Sequence, residues 1–199
     1  GGLVKWFRDT FAMADHTNAE SRGNDVYETL FDELPDEPSD VTVLPYFSGT
    51  GPPNFYTDPT GTISGLKLGT TRGDVLKGML QGMTFYLRAC IDALPRAGIR
   101  VDEYRAVGGG SKSDAWLQLT ADILNTPITR ARVTEAGALG AAILAATGSG
   151  VYNSLSECVK ALVSLDTTFS PRAAYVYRYE ELYEQYLSIE SVHEKTDFA

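Results

Sequence analysis

Three consecutive glycines, Gly108 to Gly110, stand between a β-prone run and a helix-prone one, and this junction constrains the chain more than any other segment. Upstream, Tyr104 to Val107 reads as a strand. Downstream, Ser113 to Leu124 reads as a helix, with Trp116, Leu117, Leu119, Ala121, Ile123 and Leu124 supplying apolar surface. Gly108 to Lys112 is the turn between them, and Pro127 to Ala131 follows as a second short strand. Strands alternating with helices predict a layered α/β domain. Glycines carry no Cβ, so their backbone can lie close to a ligand. The helix that follows offers unpaired N–H groups and the positive end of its dipole, which together favour a phosphate. Ser111 or Ser113 is expected to cap that helix or to donate to an anion. The segment is not a P-loop, because Gly108 and Lys112 are wrongly spaced for GxxxxGK[ST], and it is not a GxGxxG turn either. From the residues alone, a tight connection with no ligand is an equal reading.

The flanking sequence fills out the layers. Leu3 to Met13 predicts a short helix, with Leu3, Val4, Phe7 and Phe11 on one face. Asn24 is placed as the N-cap of a helix from Asp25 to about Leu34, stopped by Pro35 and Pro38. Val41 to Phe47 is an extended apolar run. Ser48 to Thr62 is too rich in Gly, Pro and Asp for regular structure, and a loop of that length is usually functional or lines a cleft. Thr71 to Leu94 is a long helix opened by Gly73 and Asp74 and ended by Pro95. Gly78 and Gly82 inside it each cost about 1 kcal/mol relative to Ala, which predicts close packing against a neighbouring backbone. Thr134 to Ala146 is an Ala-rich helix expected to pack close to something. Ser154 to Leu162 and Arg172 to Ser188 are two more helices, and the polar tail from about residue 190 is expected to be disordered.

Composition removes several function classes. The net charge of −9, with 17 Lys plus Arg, lacks the basic footprint that phosphate backbones need, so no nucleic-acid partner is expected. The longest apolar stretch, around Ala136 to Thr147, falls short of the roughly 20 residues of a membrane span, and no signal peptide opens the chain, so a soluble cytoplasmic protein is expected. Cys90 and Cys158 lack metal-ligand spacing and read as two buried free thiols, and no metal ligands are expected in the chain. His16 and His193 lie in polar surroundings near the chain ends, where a surface role is expected.

Five stretches, in order, resemble one family. GGGSKSDAWLQLTADILNTPI, from Gly108, is similar to the C-terminal signature of the FGGY carbohydrate kinases, the group of xylulose, glycerol, ribulose and gluconate kinases. LVKWFRDTF (Leu3 to Phe11), LPYFSGTGPP (Leu44 to Pro53), GLKLGTTRGDVLKGMLQGMTFYLR (Gly65 to Arg88) and TEAGALGAAILAA (Thr134 to Ala146) resemble other segments of that family. The resemblance covers essentially the whole chain and implies an actin-like, ribonuclease-H-like α/β fold. Residues 1–199 would be the second, nucleotide-binding half of a two-domain sugar kinase. It implies ATP and Mg²⁺ as cofactors, the metal held mainly through the phosphates. It further implies that the turn Gly108, Gly109, Gly110 and Ser111 runs under the nucleotide and that Asp114 stands near the adenine. The acceptor would be a sugar or polyol bound mainly by an N-terminal domain, with xylulose-kinase-like members the nearest in character. A homodimer is left open.

Two departures concern detail. The family's Glu–Arg pair in LPYxxGERxP is absent from Gly49 to Pro53, and Thr70 stands where a His is usual. A third is larger. The family's catalytic Asp, in a Gly-x-x-Asp context, and its Gly-Thr phosphate turn lie upstream of the helix that Leu3 to Phe11 resembles, and only Gly1 and Gly2 precede Leu3. The chain is therefore expected to be a fragment with no catalytic residue of its own, inactive alone. The rival reading is a non-catalytic member that keeps the nucleotide fold for binding or regulation.

Overall fold

The computed structural model describes residues 1–51, 55 and 58–196, with side chains described as far as 191. One layer is built around the long helix α4 (Arg72–Ala93). Helices α1 (Gly2–Phe11), α2 (Met13–Arg22) and α3 (Val26–Asp32) precede it. Leu3, Val4 and Phe7 of α1 are buried, as their spacing predicts, while Phe11, placed on the same face, is 49% exposed. Helix α2 was not expected: only Ala19 of its ten residues is buried, so no apolar stripe betrays it. The cap of α3 is Asp25 rather than Asn24, its carboxylate accepting from the Tyr27 amide at 2.9 Å.

Helix α4 opens on a capping box in which Thr71 Oγ1 accepts from the Asp74 amide (3.1 Å) and Asp74 Oδ2 accepts from the Thr71 amide (2.8 Å). Strand β1 (Thr42–Leu44) lies directly on this helix and pairs antiparallel with β2 (Thr62–Ser64), which begins at the last residue of the expected irregular loop. Residues 52–54, 56 and 57 of that loop, which include Pro52 and Pro53, lie outside the described residues. Gly78 and Gly82 face the strand: a Cβ at Gly78 would lie 2.6 Å from the Val41 carbonyl oxygen, and one at Gly82 would collide with that of Val43. Lys77 and Gln81, on the same helix, are buried as well. Gln81 exchanges hydrogen bonds with the Ser39 backbone (2.8 and 2.9 Å), and the Lys77 ammonium donates to the carbonyls of Pro35 and Asp36. Burial pushes the Lys77 pKa down to about 8.

Gly82→Ala is expected to destabilise the chain by about 2 kcal/mol, because an overpacked methyl costs roughly 1–3 kcal/mol and the strand carbonyl has nowhere to retreat. Gly140→Ala, in a helix where nothing lies within 4 Å of the new Cβ, is expected to stabilise by up to about 1 kcal/mol. Denaturant titration of the two variants checks the opposite signs.

The second layer is a three-stranded sheet in the order β3-β4-β5. Strand β3 (Tyr104–Ala106) runs parallel to β4 (Ile128–Ala131), with helix α5 (Asp114–Leu124) crossing between them, as the alternation predicts. Strand β5 (Leu165–Phe169) pairs antiparallel with β4. Helices α6 (Ala136–Gly148) and α7 (Leu155–Leu162) form the excursion between β4 and β5. Helix α6 packs on α7, yet Ile143 is its one buried residue. Gly137 and Gly140 meet nothing within 4 Å, so close helix packing does not explain them.

Helix α8 (Ala173–Thr196) closes the molecule over β1, α4 and α5, burying Tyr179, Leu182, Tyr183 and Tyr186. Its entry is clamped by Asp122 of α5, which is fully buried and accepts from the Arg172 amide (2.7 Å), Nε (2.9 Å) and Nη2 (2.7 Å). The tail expected to be disordered from about 190 continues as helix to Thr196, and 197–199 lie outside the described residues. Cys158 is buried, as expected, but Cys90 is only half-buried, and no disulfide joins the two. Among the described residues no helix is long and apolar enough to cross a membrane.

Candidate functional site

At the end of β3 the backbone enters Gly108 with φ +83° and ψ −176°, a region open essentially to glycine alone. The Gly108 amide donates to the Thr134 carbonyl at 2.8 Å, tying the turn to the chain that leads into α6. Gly109–Lys112 then forms a single 3-10 turn. Ser111 is buried within it. Its amide (3.1 Å) and its hydroxyl (2.7 Å) both donate to the Gly108 carbonyl, so Ser111 holds the turn instead of presenting its hydroxyl outward. Ser113 is the cap of α5, its Oγ accepting from the Trp116 amide at 3.2 Å. Of the two serines the sequence offered for that cap, the second is the one used.

The three glycines differ in their surroundings. Gly109 is exposed, and a Cβ there would meet nothing within 4 Å. Gly110 lies against the Trp116 ring, so a Cβ would stand 3.0 Å from Cζ3 and 3.2 Å from Cε3. The positive φ falls on Gly108 alone. Three successive glycines therefore answer three separate demands: a backbone conformation, an open approach and an aromatic neighbour.

Asp114, the first residue of α5, carries its carboxylate outward with its side chain 72% exposed. It is held by Arg130 of β4, whose Nη1 donates to Asp114 Oδ1 at 2.7 Å and to the Ser111 carbonyl at 3.3 Å. Arg130 Nε reaches Asp166 of β5 at 3.2 Å, and its guanidinium stands 5.4 Å from the centre of the Phe169 ring. The hydrogen bond to Asp114 in particular keeps this guanidinium more firmly charged than a free arginine. All five residues singled out by the sequence, Gly108 to Ser111 and Asp114, thus fall together where β3 meets α5. Arg130 was not among them; it stands in the predicted strand, but nothing local in the sequence discloses a partner sixteen residues back.

An exposed glycine backbone beside the N-terminal end of an eleven-residue helix suits an anion. The neighbouring carboxylate supplies an acceptor for amine or hydroxyl donors. Elsewhere, an open groove of about 430 Å³ is lined by Ser39, Asp40, Lys67, Thr70 and Asp74, on the α4 side of the molecule. None of the five residues lines it. Its carboxylates are also engaged, Asp40 with Arg178 and Lys67, and Asp74 in the helix cap.

A family model described as the C-terminal domain of the FGGY family of carbohydrate kinases matches residues 1–149. The chain is 32% identical over 192 residues to the xylulose kinase of Bacillus subtilis, covering 95% of this chain and 36% of that one. It is 36% identical over 185 residues to the glycerol kinase of Enterococcus faecalis, covering 92% of this chain and 35% of that one. The solved xylulose kinase from Rhodospirillum rubrum superposes with a TM-score of 0.75 at 26% identity, over 99% of this chain and 38% of that chain. The chain thus spans little more than a third of the length of the relatives it matches.

Proposed function

The chain belongs to the FGGY family of carbohydrate kinases, and from that premise we propose that it is the nucleotide-side domain of a kinase that moves the γ-phosphoryl group of ATP to a hydroxyl of a sugar or polyol. The observation that carries the reading is the turn from Gly108 to Ser111, which leaves the Gly109 backbone open beside the N-terminal end of α5. The nucleotide would run along this turn, with Asp114 accepting a hydrogen bond from the adenosine end. Mg²⁺ would be held mainly by the phosphates, where it neutralises charge as the γ-phosphoryl leaves. The domain would comprise residues 1–199, facing a separate N-terminal domain that binds the acceptor. Closure of the two would exclude water from the reacting groups. ATP as donor suits a cytoplasmic enzyme.

For the acceptor we propose a ketose or small open-chain polyol, with xylulose first among them. The support is the xylulose and glycerol kinases that this chain resembles over more than nine-tenths of its length. The full-length protein, given MgATP and a panel of xylulose, ribulose, gluconate and glycerol in a coupled ADP-release assay, is expected to turn over one ketose or polyol at about 1–100 s⁻¹. Turnover on a non-carbohydrate acceptor alone overturns the assignment. Tight ATP binding with no acceptor accepted would favour a regulatory module built on the same fold.

A further inference from the structure

We infer that Arg130 is the positioning residue of the nucleotide turn, fixing the turn from beneath and cancelling the charge of Asp114 so that a polyphosphate can approach. The inference rests on the nucleotide reading above and goes beyond it, because Arg130 lies behind the turn. Its side chain is 16% exposed, against 72% for Asp114, so the guanidinium sits beneath the carboxylate that it holds. One planar fork joins three elements: the carbonyl of Ser111 in the turn, the first residue of α5, and Asp166 on β5. A lysine cannot reproduce this, since it offers a single point charge in place of a fixed set of donors. The Phe169 ring on one side of the guanidinium further limits its movement.

The electrostatic part follows from the sign of the ligand. ATP arrives with several negative charges, in a chain whose net charge is already −9. An uncompensated carboxylate at the first position of α5 would add to the charge that repels it. With Arg130 in place the cluster of Asp114 and Asp166 carries one negative charge in place of two, and Asp114 keeps its acceptor oxygens.

The two roles separate by experiment in the full-length kinase. Arg130→Gln is expected to raise the ATP KM about 10- to 100-fold, with kcat and the sugar KM within about twofold of wild type. Adding Asp114→Asn to Arg130→Gln is expected to recover most of the lost affinity, because the repelling charge is gone. Asp166→Asn, which keeps an acceptor for Nε and leaves the bonds of Nη1 to Asp114 and the Ser111 carbonyl in place, is expected to change the ATP KM by no more than about twofold, and a rise as large as that of Arg130→Gln overturns the inference. An Arg130→Gln enzyme with normal ATP KM overturns the inference. So does a loss that Asp114→Asn does not relieve and that follows the melting temperature, as a merely structural arginine would give. Should Arg130→Gln fail to fold, Arg130→Lys carries the test, with an expected ATP KM rise of about 3- to 10-fold and an unaltered KM overturning the inference. Wild-type protein that binds no ATP at all overturns the nucleotide reading itself, and this inference with it, which is distinct from a wild type that binds ATP and an Arg130→Gln that binds it equally well.

Discussion

Supplied with MgATP and a panel of pentuloses, hexoses and polyols, the 199-residue chain by itself is expected to release no ADP in a sugar-dependent manner. Phosphoryl transfer needs an oriented acceptor hydroxyl, a residue to take its proton, and positive charge on the phosphates. The family resemblance puts the proton acceptor on an Asp within Gly-x-x-Asp, and no Gly-x-x-Asp occurs anywhere in this sequence. The carboxylates beside the glycine turn are committed elsewhere. Asp114 and Asp166 share Arg130, and Asp122 is buried against Arg172. The proposed role of the chain is one wall of a cleft, whose effect on rate appears only when the other wall orients the acceptor. Kinases of this chemistry turn over at about 1–100 s⁻¹, so a rate below about 10⁻³ s⁻¹ is expected for the chain alone. Sugar-dependent turnover near 1 s⁻¹ in a coupled ADP assay would show that the chain holds a complete catalytic site.

The strand–turn–helix unit was legible because each part has a local cause. Tyr104 to Ala106 alternates, the glycines break the pattern, and Ser113 sits where a cap belongs. Gly78 and Gly82 were legible for the same reason, since two glycines one turn apart in a helix imply a close neighbour, here the carbonyls of Val41 and Val43. What escaped lacked periodicity or depended on distant partners. Strand β5, LDTTF, is largely exposed and shows no apolar alternation. Strand β2 is only three residues long, set between Gly61 and Gly65, and its pairing with β1 defines it. Helix α6 misled in the other direction, because its alanines and glycines suggest close packing and the chain covers little beyond Ile143. At the site, the glycines and the cap could be marked from the residues, and Asp114 from the resemblance. Arg130 could not, because its partners lie in the turn, on α5 and on β5, and meet only in the folded sheet.

Gly109→Val in the full-length kinase is expected to raise the ATP dissociation constant about 100-fold, equivalent to about 2.7 kcal/mol, while leaving the fold nearly as stable as wild type. The choice of position follows from the three surroundings in the turn. Gly108 holds φ +83°, so any side chain there strains the backbone by about 1–3 kcal/mol before a ligand is considered. Gly110 touches Trp116, and a Cβ at 3.0 Å from Cζ3 would push on a ring that in turn packs edge-on against Phe31 at 6.4 Å. Gly110→Val is therefore expected to lower stability by about 1–3 kcal/mol, and a loss of ATP affinity in that variant would have two causes. Gly109 has neither complication. Its φ lies outside the left-handed region, its Cβ would meet no protein atom within 4 Å, and its backbone is exposed where the nucleotide is proposed to lie. Bulk added there reports on the ligand alone. Gly78→Ala serves as the reverse control, pressing on the Val41 carbonyl at 2.6 Å and lowering stability with ATP affinity unchanged. Calorimetric titration with ATP, paired with denaturant melts, gives both quantities for each variant. If Gly109→Val binds ATP as tightly as wild type, the glycine turn is a structural connection and the nucleotide lies elsewhere.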